Sequence, residues 1–350
     1  MVGAMKLTPF VSATAICLLL GAAPALAADA GAARSGQRAV VLVSGTAATT
    51  PFTTPTQACK TGYSAGNTWA FLRDYLVKKG YKVYTAPASL GGVKVTETKD
   101  PNDGPFGGCP KQLPASMTVN AIGSVDRSGS SLARFLGYLH GKYGVSRVDL
   151  VGHSLGGFIG RAAIREARLD KSPVKFTSYS TLGSPWDGTY IANPKNPADP
   201  LSACDGFPVC EAFAGSLLSV PGIEMLIALL KPSNTAVWNS NQAGALNGIP
   251  VSMLAGTYFT KAGGSPAVWP NDGIAQLSSA WAQGMSDKLI PHRACYSWPL
   301  THSLFVSKGV GLPDDSSLTW NSDVGAQLAK IFNGASTALK KPNRIGCPAA

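Results

Sequence analysis

Ser154 stands at the centre of Gly152-His153-Ser154-Leu155-Gly156, with Gly157 close behind. A serine with a glycine two positions away on each side can occupy a tight strand-to-helix turn. The glycines let strand and helix close around it, and the hydroxyl stays exposed. The chemistry would be attack by an activated hydroxyl on an electrophilic carbon. So short a pattern also arises in ordinary Gly-rich turns, so its surroundings decide. The apolar run 147–152 ends at Gly152, and a helix is expected over 156–170. That turn also leaves the N–H of Leu155 at a helix start, where it can face a developing oxyanion.

Such a hydroxyl needs a histidine as base, and the histidine needs a buried carboxylate to hold its tautomer. The chain has four histidines. His140 precedes the serine in a helical stretch. His153 adjoins the serine and cannot easily turn back to its hydroxyl. His292 comes before the apolar run 294–300, and His302 comes after it, where a loop should begin. His302 is therefore the expected base, and His292 reads as a surface or structural residue. For the carboxylate there are Asp272 in "WPNDGIAQ" and Asp187 in "GSPWDGTY", each following an expected strand. Asp103, in a second "NDG", precedes the serine and reads as a turn residue.

These residues need elements to position them. "AVVLV" at 39–43 is wholly apolar and rich in β-branched residues, the mark of a strand buried on both faces. Further strands are expected at 81–86, 147–152, 174–183, 249–259 and 294–300. Helices are expected at 66–80, 118–143, 156–170, 276–284 and 323–334. This alternation predicts an α/β class, with a mainly parallel sheet flanked by helices. After Pro185 the pattern breaks, and an inserted cap is expected over about 190–245. Within it, 222–231 reads either as a lid helix or as a buried core helix, because its apolar residues cover most of the circumference.

Forty-five per cent hydrophobic residues against 14% charged exclude extended disorder. Lys6, the apolar stretch 7–23 and Ala25-Leu26-Ala27 read as a secretory signal over 1–27, leaving a single domain over 28–350. A membrane anchor fits less well, because the stretch is short and contains Pro9. Setting aside Cys17, six cysteines remain: Cys59, Cys109, Cys204, Cys210, Cys295 and Cys347. An even number in an exported chain predicts disulfides, and about 15 pairings are open. Neighbour pairing is the expectation: 59–109, 204–210 and 295–347. Zinc is disfavoured, since there is no C-x-x-C pair. The net charge of +11 is scattered, apart from Lys340, Lys341 and Arg344, and reads as a solvated surface rather than a nucleic-acid site.

"GHSLGG" (152–157), "VLVSGT" (41–46), "PNDGI" (270–274) and "THS" (301–303) together resemble the secreted bacterial-type lipases and esterases of the α/β-hydrolase superfamily. The likeness spans most of the chain in element order but is close only in these segments. It implies an α/β-hydrolase fold and the order serine, acid, histidine. By that resemblance Asp272 is the acid, with Asp187 at the place where some lipase families keep theirs. Thr46 would join Leu155 in the oxyanion hole. No cofactor is implied. A structural calcium is doubtful, because Ser303 and Leu304 follow His302 where an aspartate would be needed. The expected function is a secreted serine hydrolase of acyl-glycerols or other apolar carboxylic esters, working through an acyl-enzyme. An acyltransferase or a peptidase would share these residues, and a non-catalytic binding module could share the scaffold. The expected partners are an ester substrate and a lipid–water interface. The mature chain is expected to be monomeric, with no nucleic acid and no spanning segment.

Overall fold

Seven strands form one sheet in the computed structural model, which describes residues 36–59, 67–96, 107–195, 198–204, 206–334 and 343–348. They are β1 (Gln37–Val43), β2 (Val83–Thr85), β3 (Val145–His153), β4 (Lys175–Leu182), β5 (Val251–Gly256), β6 (His292–Trp298) and β7 (Asn343–Ile345). Their spatial order is β2-β1-β3-β4-β5-β6-β7, and every neighbouring pair is parallel. The described residues belong to one compact unit, Gly36–Ala350. The expected signal segment and Asp103 lie outside the described residues.

The run 39–43 of β1 is apolar on both faces because both faces are covered. On one side α2 (Val125–Tyr143) and α3 (Leu155–Leu169) pack over Val41, Val43, Val148 and Leu150. On the other, α1 (Asn67–Lys78) and α7 (Ser322–Gly334) cover Val40, Leu42, Val151 and Leu254. Alternate residues of one strand thus feed opposite cores, as the two-residue strand period demands. Between β4 and β5 lie three helices: α4 (Pro208–Leu218), α5 (Glu224–Leu230) and α6 (Pro232–Ser240). Arg161 of α3 anchors α6. It is fully buried between the Trp186 and Trp238 rings, 4.6 Å from each centroid, and donates to Asn239 Oδ1. Burial lowers its pKa to about 10, so it stays charged at neutral pH.

Several expectations need correction. The helix expected from 118 begins only at Val125, where the Ser124 hydroxyl caps it by accepting from Arg127 N–H. Val119–Asn120 instead forms a short parallel ladder with Ala88–Ser89. The spacing of Val119 and Ile122 suits a helix, but the neighbouring backbone captures this stretch first. His292 lies inside β6, not before it. The helix expected at 222–231 shrinks to Glu224–Leu230, and α4, not foreseen, precedes it. The last strand is β7, tied to β6 by Cys295–Cys347. The other disulfides join Cys59 to Cys109 and Cys204 to Cys210, so all three follow the neighbour pairing.

Candidate active site

The chain order reverses between β1 and β3. From β1 it runs outward to β2, and from β3 it runs the other way. In an open parallel sheet such a reversal opens a crevice at the carboxyl ends of the strands. Ser44-Gly45-Thr46 leaves β1 on one side of that crevice, and Ser154 leaves β3 on the other.

Ser154 has φ 55° and ψ −125°, a conformation that an L-residue adopts only when its surroundings impose it. The Ser154 N–H donates to Leu182 O at 2.9 Å, which ties the turn to β4. A Cβ on Gly152 would lie 2.4 Å from Gly156 O, and one on Gly156 would lie 2.3 Å from Val43 O. Both contacts are with backbone, which cannot step aside. The glycines on either side of the serine therefore allow strand and helix to approach. Leu155 is the first residue of α3, so its N–H has no partner within the helix. Thr46, Ser154, Leu155 and His302 all line one cleft of about 280 Å³.

Asp272 is fully buried in a loop that its own hydrogen bonds shape. Its Oδ1 accepts from Ile274 N–H at 3.0 Å and Ala275 N–H at 2.7 Å. Asn271 and Phe259 exchange a backbone pair, each bond 3.0 Å, which holds the loop against the end of β5. Tyr190 donates through its hydroxyl to Gly273 O at 3.2 Å, and Thr189 donates to Ile274 O at 2.7 Å. Burial, with the Asp272 charge adding to it, raises the Tyr190 pKa and keeps the phenol a donor.

The second oxygen of Asp272, Oδ2, lies 2.8 Å from His302 Nδ1. A carboxylate in this pairing makes Nδ1 the donor, which leaves a lone pair on Nε2. His302 also donates its backbone N–H to Asp272 O at 2.7 Å. Beneath the pair sits Gly183, at φ 57°, where a Cβ would fall 2.7 Å from Asp272 Oδ2 and 2.9 Å from His302 Nδ1. Nothing in the sequence singled out Gly183. Its requirement comes from a loop 89 positions away in the chain, by 272 − 183.

Asp187 is placed elsewhere. Its Oδ2 accepts from Gly284 N–H at 3.0 Å, and its own N–H donates to the Ser279 hydroxyl at 2.9 Å. Burial raises its pKa, opposed by the Gly284 N–H and the more distant charge of Arg161. It borders a different depression, with Pro232 and Gln283. His140 accepts no role here either, since its Nδ1 contacts Val145 O at 3.0 Å. His292 is buried in β6.

The far wall of the cleft is apolar. Phe213 and Leu217 of α4, Val220, Leu230, Ile274 and Val306 contribute its apolar lining. Among the described residues no Lys, Arg, Asp or Glu lines the cleft. Of the stretch 222–231, open between a lid helix and a buried core helix, only Leu230 lines the cleft. The signal that could have found α4 is Pro208 at a helix start, followed by an almost uncharged run.

Residues 117–198 match the family model described as "Putative serine esterase (DUF676)". The matched stretch holds β3, the Ser154 turn and α3, but neither Asp272 nor His302. Over that stretch the chain is similar to a putative serine esterase family. Comparison with curated proteins gives no match. Among solved structures, a Bacillus licheniformis lipase in its propeptide form is 15% identical, with a TM-score of 0.47, over 87% of this chain and 51% of that one. The chain therefore spans about half the length of that lipase. A metagenomic carboxyl esterase is 13% identical, with a TM-score of 0.47, over 85% of this chain and 76% of its own. An esterase of Pyrococcus furiosus is 14% identical, with a TM-score of 0.41, over 85% of this chain and 84% of its own. The fold itself is a parallel sheet with helices on both faces.

Proposed function

We propose that the chain is a secreted serine hydrolase of uncharged, apolar carboxylic esters, acting through an acyl-enzyme. The observation that carries this reading is the 2.8 Å pairing of His302 Nδ1 with Asp272 Oδ2 on the wall of the cleft that holds Ser154. In this reading His302 Nε2 takes the Ser154 proton as Oγ attacks the ester carbonyl. The same proton then passes to the leaving alcohol, and water enters by the reverse steps to release the acid. Asp272 holds the imidazolium through Oδ2. The N–H groups of Leu155 and Thr46 stabilise the oxyanion, a contribution of about 3 kcal/mol per donor in comparable sites. The apolar wall of α4 supports an acyl chain as the occupant. Residues 190–245 act as the cap over this cleft.

The three disulfides fit an oxidising compartment, in line with an export signal over 1–27. Among the described residues no helix is long and apolar enough to cross a membrane.

The test is labelling with a fluorophosphonate, followed by hydrolysis of esters of increasing acyl length. Wild type should be labelled and active, and Ser154→Ala should show neither. An unlabelled wild type, or an active Ser154→Ala, removes the reading. Added alcohol distinguishes hydrolysis from acyl transfer, and a peptide substrate tests the peptidase alternative.

A further inference from the structure

His153, next to the nucleophile, has no part in the proton transfers described above. It is 5% exposed, and its ring centroid lies 4.6 Å from that of His302. Its Nε2 sits 2.9 Å from the main-chain oxygen of His302. A carbonyl oxygen can only accept, so Nε2 carries the proton and donates it. Burial first, and the neighbouring His302 second, hold the His153 pKa well below its ordinary value, so the ring is neutral. Trp69 meets it edge to face at 6.2 Å, and Gly45 closes in near its Nδ1. The ring therefore has one orientation available.

The backbone of His302 is held from both ends. Its N–H donates to Asp272 O, and its C=O accepts from His153. We propose that His153 is a positioning residue, whose Nε2–H clamps the His302 main chain so that the imidazole stays between Asp272 and Ser154. The inference rests on the reading of His302 as the base. Its physical basis is that the loop carrying His302 leaves β6, and two strands, β4 and β5, separate β6 from the strand whose end carries Ser154. The side chain of His153 is a direct polar tie from that turn to the loop. A neutral ring at this place also avoids setting a second positive charge beside the imidazolium that forms during catalysis.

The experiment compares His153→Gln, which keeps a donor, with His153→Met, which keeps the length and loses the donor, in the full chain. His153→Met should lower kcat about 10- to 100-fold, the range expected when a catalytic group is misplaced. Its KM should stay within about twofold of wild type, and fluorophosphonate labelling of Ser154 should slow by the same factor as kcat. His153→Gln should recover most of that loss. Equal losses in both variants, a loss confined to KM, or an unchanged His153→Met would overturn the proposal. Histidine ¹⁵N NMR of the wild type serves where a variant fails to fold. His153 should be the neutral Nε2–H tautomer at about pH 7; an Nδ1–H tautomer or a cationic ring would overturn the clamp. Failure of the function reading is recognised separately, by an unlabelled wild type or an active Ser154→Ala.

Discussion

Two aspartates follow strands on the same side of Ser154 in the chain, and they differ only in what they touch. Asp272 spends one oxygen on two backbone N–H groups and the other on His302. Asp187 meets Gly284 and Ser279 instead. In the proposed mechanism Asp272→Asn favours the wrong tautomer of His302, and kcat should fall by about 10⁴. Asp187→Asn should stay within tenfold of wild type. Steady-state kinetics on one short ester checks both, and the reverse order would transfer the acid to Asp187. His153 carries a second consequence at this scale, because its pKa in the fold is below its unfolded value. Between the two values the unfolded chain binds more protons, so stability rises with pH there. The contribution is full above about pH 6.5, the unfolded value, and is lost as pH falls from there towards the folded value. The melting temperature should therefore fall more steeply between about pH 7 and pH 5 in wild type than in His153→Gln. Parallel slopes would show that His153 is already charged in the fold.

The junction of β3 and α3 depends on backbone contacts that no side chain can occupy. Gly156→Ala would press a methyl against the carbonyls of Val43 and Ser44. The expected cost is about 1–3 kcal/mol or more, read from urea unfolding, with loss of activity because the Ser154 turn must move. Gly137, in the middle of α2, is the contrasting case, with nothing within 4 Å of a Cβ. Gly137→Ala should raise stability by about 0.5–1 kcal/mol, since it only removes unfolded-state freedom. If both substitutions behaved alike, close packing would not be the reason for Gly156.

For the whole molecule, the disulfides matter according to what they span. Cys295–Cys347 closes a separation of 52 residues and ties the edge strand β7 to β6, where Arg344 Nε also donates to Asp287 at 2.8 Å. Cys204–Cys210 closes only six, within the segment that leads into α4. Chain entropy puts these at about 4 and about 2 kcal/mol respectively, with native strain free to reduce either. Removing Cys295 and Cys347 together should therefore lower unfolding stability more than removing Cys204 and Cys210. The shorter bridge should show mainly in activity on longer acyl esters, because α4 supplies Phe213 and Leu217 to the cleft. Chemical unfolding of the two double variants, beside their acyl-length profiles, checks the division.

Ser154 and its turn could be read from the sequence because every determinant is local: an apolar strand, two spaced glycines and a helix start. The parallel sheet was legible for the same reason, since β1, buried on both faces, reads as an unbroken apolar run at 39–43. Cysteine pairing followed too, because each cysteine found its partner next along the chain. The limits of α2 and β6 were less readable. Spacing alone cannot tell Val119 in a short ladder from Val119 in a helix, and His292 reads as a surface or structural residue ahead of the apolar run because its strand starts earlier than that run. Three features depended on tertiary structure. The choice between Asp272 and Asp187 is a matter of which carboxylate reaches His302. Gly183 is required only because Asp272 and His302 close over it. In the sequence His153 is set aside as a base by its closeness to Ser154. Folding brings it to the carbonyl of His302, because the two loops meet above the ends of strands separated by β4 and β5. Local chemistry is carried by neighbours in the sequence. Which distant groups share a hydrogen bond is decided by the order of strands in the sheet.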